Sequence, residues 1–145
     1  MQSEISTSAI GPAGTASEQG LLVLIVEDNP VNARLASDML HTAGYETRHA
    51  AEGAAGFELA RALQPALVLT DLQMSGMDGM TLIRKLKADP LTASIPVIAV
   101  TAHVLQDHRD EAMRAGCCAF ITKPFRYRPF LAEIAHAIES RRSTH

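Results

Sequence analysis

What the chain lacks limits its function before any motif is read. No apolar run approaches the roughly 18 residues of a membrane-spanning helix. No cluster of Lys and Arg supplies a local positive field, and 13 Lys and Arg against 16 Asp and Glu leave a net charge of -3, which argues against binding nucleic acid. The two cysteines, Cys117 and Cys118, are adjacent. They have the spacing of neither a disulfide framework nor a CxxC redox pair, so reduced core thiols are expected. The six histidines show neither HExxH nor an i, i+4 pairing, so no imidazole metal site is expected and His103 and His108 are read as surface residues. No basic and apolar leader opens the chain, and a cytoplasmic location is expected.

What is present suits one soluble domain: 145 residues, 47% hydrophobic and 20% charged. No shorter internal repeat and no second domain is visible. Residues 1–20, MQSEISTSAIGPAGTASEQG, carry almost no large apolar side chain and cannot offset their ordering entropy, so a flexible tail is expected before a domain over 21–140. Residues 141–145 form a short C-terminal tail.

From Leu21 short apolar runs alternate with segments of helical period, five times over. The first run, Leu21 to Val26, is continuously apolar, as a strand covered on both faces should be. Asn29 is placed to cap the next helix and Pro30 to open it, with Val31, Leu35 and Met39 on one face and Gly44 at its end. Tyr45 to His49 reads as a weaker second strand. A helix over Glu52 to Leu63 then turns Ala55, Leu59 and Ala62 inward before Pro65. Ala66 to Thr70 is the third strand, followed by the loop from Asp71 and a helix carrying Leu82, Ile83 and Leu86. Ile95 to Val100, a helix from about Ala102 to Ala115, Ala119 to Thr122 and a helix over Arg126 to Ser140 complete the series. The alternation implies a parallel sheet with right-handed crossovers and helices on both faces.

Ligands of an open parallel sheet sit beyond the carboxyl ends of its strands. Those ends carry Glu27 and Asp28, Asp71, Thr101, and Lys123 followed by Pro124. Three carboxylates drawn together repel by roughly 4 kcal/mol per close pair at an intermediate dielectric, and one ammonium offsets only part of that. A divalent cation offsets the rest, and an all-oxygen donor set suits Mg2+ rather than zinc. Such a site accepts a phosphoryl group, with the innermost carboxylate as nucleophile.

The segments VEDN, DLQMSGMDG, TA and KPF, each after its strand, resemble those of response regulator receiver domains over residues 21 to 140. The resemblance implies an α/β, flavodoxin-like fold: a five-stranded parallel sheet of order 2-1-3-4-5, with five helices in a three-layer α/β/α sandwich. It implies Asp71 as phosphoacceptor, and Glu27, Asp28, Asp71 and the Gln73 backbone carbonyl as holders of Mg2+. Thr101 is the switch hydroxyl, Lys123 the ammonium that pairs with phosphate, Phe120 the switch aromatic, and Lys123–Pro124 a cis link. Gln73 and His103 fall where family members vary, beside the path of a hydrolytic water. Gly76 and Gly79 are assigned to loop geometry, and Met74, Met77 and Met80 to packing.

The expected partners are a sensor histidine kinase or histidine phosphotransfer protein and a downstream protein target, with neither nucleic acid nor membrane. The chain is not expected to be an enzyme beyond its own phosphorylation and dephosphorylation. VEDN and GYET resemble stand-alone receivers of cell-division control as well as receivers attached to hybrid kinases, and the opening Met1 with only five residues after Ser140 favours the former. A dehalogenase-type phosphatase wants a second Asp where Gln73 stands. A flavin or nucleotide binder wants a phosphate-cradling loop where Glu27, Asp28 and Pro30 stand. A phosphorylation-independent scaffold of the same fold is a further alternative.

Overall fold

The computed structural model describes residues 20–74, 76–102 and 106–143; the expectations for residues 1–19, His103 and residues 144–145 lie outside them. Five strands and five helices alternate: β1 Leu22–Val26, α1 Pro30–Thr42, β2 Glu46–Ala50, α2 Gly53–Leu63, β3 Leu67–Asp71, α3 Gly79–Ala88, β4 Val97–Thr101, α4 Gln106–Ala115, β5 Ala119–Thr122 and α5 Tyr127–Ser143. All pairings are parallel and the strands lie in the order β2-β1-β3-β4-β5, the expected 2-1-3-4-5. Boundaries differ from the sequence reading by one or two residues at most strands, and α5 runs three residues past Ser140.

The period of two along each strand divides the core. Val23, Ile25, Leu67, Leu69, Ile98 and Val100 face one way, toward α1 and α5, where Leu40, Phe130, Ile134 and Ile138 close the layer. Leu24, Val26, Val68, Val97, Ala99 and Phe120 face the other, toward α2, α3 and α4, with Leu82, Ile83 and Leu86 as its largest contributions. Each such side chain, fully withdrawn from water, stabilises the fold by about 1.5–3 kcal/mol.

Two helix phases differ from the expected ones. On α1, Val31 and Leu35 point to solvent at 74% and 45% exposure, and Ala33, Ala36, Met39 and Leu40 face the sheet. On α2, Ala55 and Ala62 are exposed and Leu59 is half-buried, while Gly53, Gly56 and Ala60 are buried. On α2 the cause is close approach: a Cβ on Gly56 would lie 2.7 Å from a Val26 methyl. A helix seated that near a sheet must present its smallest residues, which puts the larger apolar ones at the rim. The expected cap holds, since Asn29 Oδ1 accepts from the Val31 and Asn32 amides at 2.9 and 3.3 Å. Gly44 ends the turn after α1 with φ +95°.

The cysteines differ from each other. Cys117 is buried and its thiol is pushed up to about 11 by burial, whereas Cys118 is exposed and not the core thiol expected. Met74, Met77 and Met80 pack as partly buried side chains against the α2–α3–α4 layer, as expected.

Candidate functional site

The sheet register builds the site. Val26 pairs with Thr70, Asp71 with Val100, and Thr101 with Thr122, so the residues at or just beyond these strand ends meet on one rim. The backbone continues the ladder there: the Glu27 amide donates to Ala50 O at 3.0 Å, Leu72 to Val100 O at 2.9 Å and Lys123 to Thr101 O at 2.8 Å. Glu27, Asp71 and Thr101 are 4%, 6% and 1% exposed, so three polar side chains end within the covered part of the rim. Asp28 is exposed.

Glu27, Asp28 and Asp71 each present a carboxylate oxygen within 4.8 Å of the others. Lys123 Nζ lies between two of them, 2.7 Å from Asp71 Oδ2 and 3.0 Å from Glu27 Oε1. The remaining oxygens take backbone donors: the Asn29 amide gives to Glu27 Oε2 at 3.1 Å and the Gln73 amide to Asp71 Oδ1 at 3.0 Å. These bonds fix both carboxylates before any substrate arrives.

Burial pushes the Glu27 carboxyl above its ordinary value, in spite of its bonds to Lys123 and the Asn29 amide. Burial alone would lower Lys123, but its bonds to Asp71 and Glu27 outweigh that and hold the ammonium above its ordinary value. The pocket therefore keeps its lysine charged throughout the neutral range. Three hard carboxylates with one ammonium between them leave two units of negative charge, which matches a divalent oxygen-seeking cation.

Phe120, on β5 beside Ala99 of β4, is turned inward and 9% exposed. The Lys123–Pro124 peptide is cis. Gly76 takes φ +76°, a conformation that favours glycine. Gly79 serves differently: a Cβ there would fall on the Asp71 carbonyl oxygen, so α3 begins against the back of that residue only because position 79 has no side chain. Two more residues at the site were not singled out from sequence. His49 on β2 places Nε2 2.7 Å from the Glu27 carbonyl oxygen, a contact foreshadowed by the pairing of Ile25 with His49. The Arg109 guanidinium covers the Phe120 ring, for which no sequence signal exists.

Fold and pocket define an open α/β domain built around one held aspartate at the end of its middle strand. Residues 23–135 match the response regulator receiver domain, and the chain belongs to that family. It is 38% identical over 112 residues to the polar-differentiation response regulator DivK of Brucella anthropi, covering 77% of this chain and 91% of that one. The DivK protein of Brucella ovis matches at the same identity and coverage. Among solved structures, the receiver domain of a sensor histidine kinase from Pseudomonas aeruginosa PAO1, with a magnesium ion coordinated in its active-site cleft, is 30% identical. Its TM-score is 0.78, with 83% of this chain and 98% of that chain covered. A response regulator from Chloroflexus aurantiacus is 26% identical with TM-score 0.80 over 83% of this chain and 99% of that one. No helix among the described residues is long and apolar enough to cross a membrane.

Proposed function

We propose that this receiver domain takes a phosphoryl group onto Asp71. The observation that carries the reading is Lys123 Nζ held between Asp71 and Glu27, with Asp28 beside them. An oxygen of Asp71 attacks phosphorus, the bond from phosphorus to the donor's imidazole nitrogen breaks, and an acyl phosphate forms on Asp71. Lys123, already on Asp71, follows the new phosphoryl oxygens as the carboxylate's charge of -1 becomes about -2. Thr101, buried at the end of the strand between those of Asp71 and Lys123, is the hydroxyl proposed to meet that added charge. Glu27, Asp28, Asp71 and the Gln73 carbonyl would hold Mg2+, and the oxygen-only acidic cluster fits it. When bound, that ion neutralises charge on the phosphoryl oxygens as they pass to Asp71.

The donor is a histidine kinase or a phosphotransfer protein. Val31 and Leu35, exposed on α1 just after Glu27 and Asp28, give an apolar landing surface beside the acidic pocket. The signal leaves by protein contact on the α4–β5–α5 face, or by phosphate passed onward, after Thr101 and Phe120 shift. DivK supports a receiver that works without an attached output domain, since this chain spans 91% of that relative. The kinase-attached receiver of Pseudomonas supports Mg2+ in this pocket and keeps the hybrid-kinase reading as the second one.

Incubation with Mg2+ and acetyl phosphate, followed by intact mass, tests the reading. One added phosphoryl group that needs both Mg2+ and Asp71 is the expected result. Equal labelling of Asp71→Asn overturns Asp71 as acceptor. Lys123→Ala is expected to label in part while losing phosphorylation-dependent partner binding.

A further inference from the structure

α4 is weakly seated. Among its described side chains only Ala112 is buried, and Met113 is 43% exposed. Two long side chains brace it laterally. Glu111 accepts from Arg84 Nη2 of α3 at 2.9 Å. Arg109, exposed on the same helix, lays its guanidinium carbon 5.5 Å from the centroid of the Phe120 ring on β5. The ring is 9% exposed and sits in the cluster that holds Ala99, Ala112 and Cys117, so the guanidinium supplies part of its cover.

The attraction between a cation and a ring face exists only while the ring presents that face. A ring turned outward loses Arg109, and a displaced α4 withdraws Arg109 from the ring. The two events share one contact and therefore bias each other. An apolar cover would pack the ring without this dependence on orientation.

We infer that Arg109 is a positioning residue of the switch: it holds Phe120 inward in the unmodified chain and ties the placement of α4 to that ring. The inference rests on the proposed role of Phe120 as the switch aromatic. A solvent-exposed cation over a ring face shifts a two-state equilibrium by roughly two- to fivefold. Arg109 thus sets how far the unphosphorylated domain already lies toward its inward state.

The test is fluorine NMR of the full chain labelled with fluorophenylalanine, in which four phenylalanines give four signals and Phe120→Leu assigns one of them. Arg109→Met keeps the hydrocarbon stem and removes the charge; Arg109→Gln is a second neutral variant. Both are expected to move the Phe120 signal toward that of a solvated ring, raising the outward-to-inward ratio about two- to fivefold. Arg109→Lys is expected to stay nearer wild type, and the signals of Phe57, Phe125 and Phe130 to stay in place. An unmoved Phe120 signal in both neutral variants, or a Lys variant displaced as far as Met, overturns the inference. Intact mass on the same samples after Mg2+ and acetyl phosphate separates the two readings. A wild type that gains no phosphoryl group defeats the proposed function, while a phosphorylated wild type whose ring ignores Arg109 defeats this inference alone.

Discussion

Helices α3 and α4 are ten residues each and lie on the same face of the sheet. α3 buries Gly79, Leu82, Ile83 and Leu86 and is capped by the Asp78 side chain, whose Oδ1 accepts from the Thr81 amide at 2.8 Å. α4 buries Ala112 alone among its described side chains. Burial scales with apolar area, so the first helix is part of the frame and the second rests on it. The frame holds Asp71, the proposed phosphoacceptor, since α3 starts against its carbonyl; the resting helix touches the ring proposed to switch. A receiver needs both, a fixed place for chemistry and a neighbour loose enough to move.

The contrast breaks hardest at Ile83. Ile83→Ala is expected to cost about 2–5 kcal/mol, read as a lowered urea midpoint at unchanged slope. Gly79→Ala comes next. Its methyl group must push the Asp71 backbone aside, and phosphorylation by acetyl phosphate should slow about 100-fold, since displacements near 1 Å cost that much in positioned reactions. Hydrogen exchange sharpens the comparison without any substitution: amides of α4 should open at least about tenfold more readily than those of α3.

A smaller effect separates the pocket from both helices and depends on pH. The folded Glu27 carboxyl lies above its ordinary 4.5, so its contribution to stability is complete below that pH and is lost as pH rises through the folded value. Lys123 is also raised, and its contribution is complete below 10.5 and lost only above it. At neutral pH the pocket therefore carries the unfavourable charge of Glu27, which a cation relieves. About 10 mM Mg2+ should raise Tm by roughly 2–5 °C at pH 7.5, and the gain should shrink as pH falls through the folded Glu27 value. A gain at pH 7.5 that Glu27→Gln leaves unchanged removes Glu27 from the cation site. The smallest expected effect is Met113→Ala on the exposed side of α4, within about 0.5 kcal/mol of wild type by the same urea titration.

Most of this arrangement was legible in the sequence, for identifiable reasons. Parallel strands read as unbroken apolar runs, as Leu22–Val26 and residues 97–100 do, and the residues just past them fall on one rim by topology alone. Asn29, Pro30 and Gly44 marked the limits of α1 because capping is local chemistry. Which face of α1 and α2 turns inward was not legible. The distance from helix to sheet is a tertiary quantity, and on α2 at short distance Gly56 and Ala60 outrank Leu59 as inward residues. The donors on Glu27 and the Arg109–Phe120 contact likewise depend on residues far apart in the chain or on loop geometry that no period encodes.

The common rim has a consequence for rearranging the chain. Glu27, Asp71, Thr101 and Lys123 come from four strands, and the turns at the opposite ends, around Gly44, Pro65 and Gly116, contribute none of them. New ends opened by circular permutation at those turns leave all four groups in register. A one-residue deletion inside β3 turns Asp71 to the other face of the sheet, since successive side chains alternate. The fold thus tolerates cutting and rejoining along one edge and almost no slippage along the strands themselves.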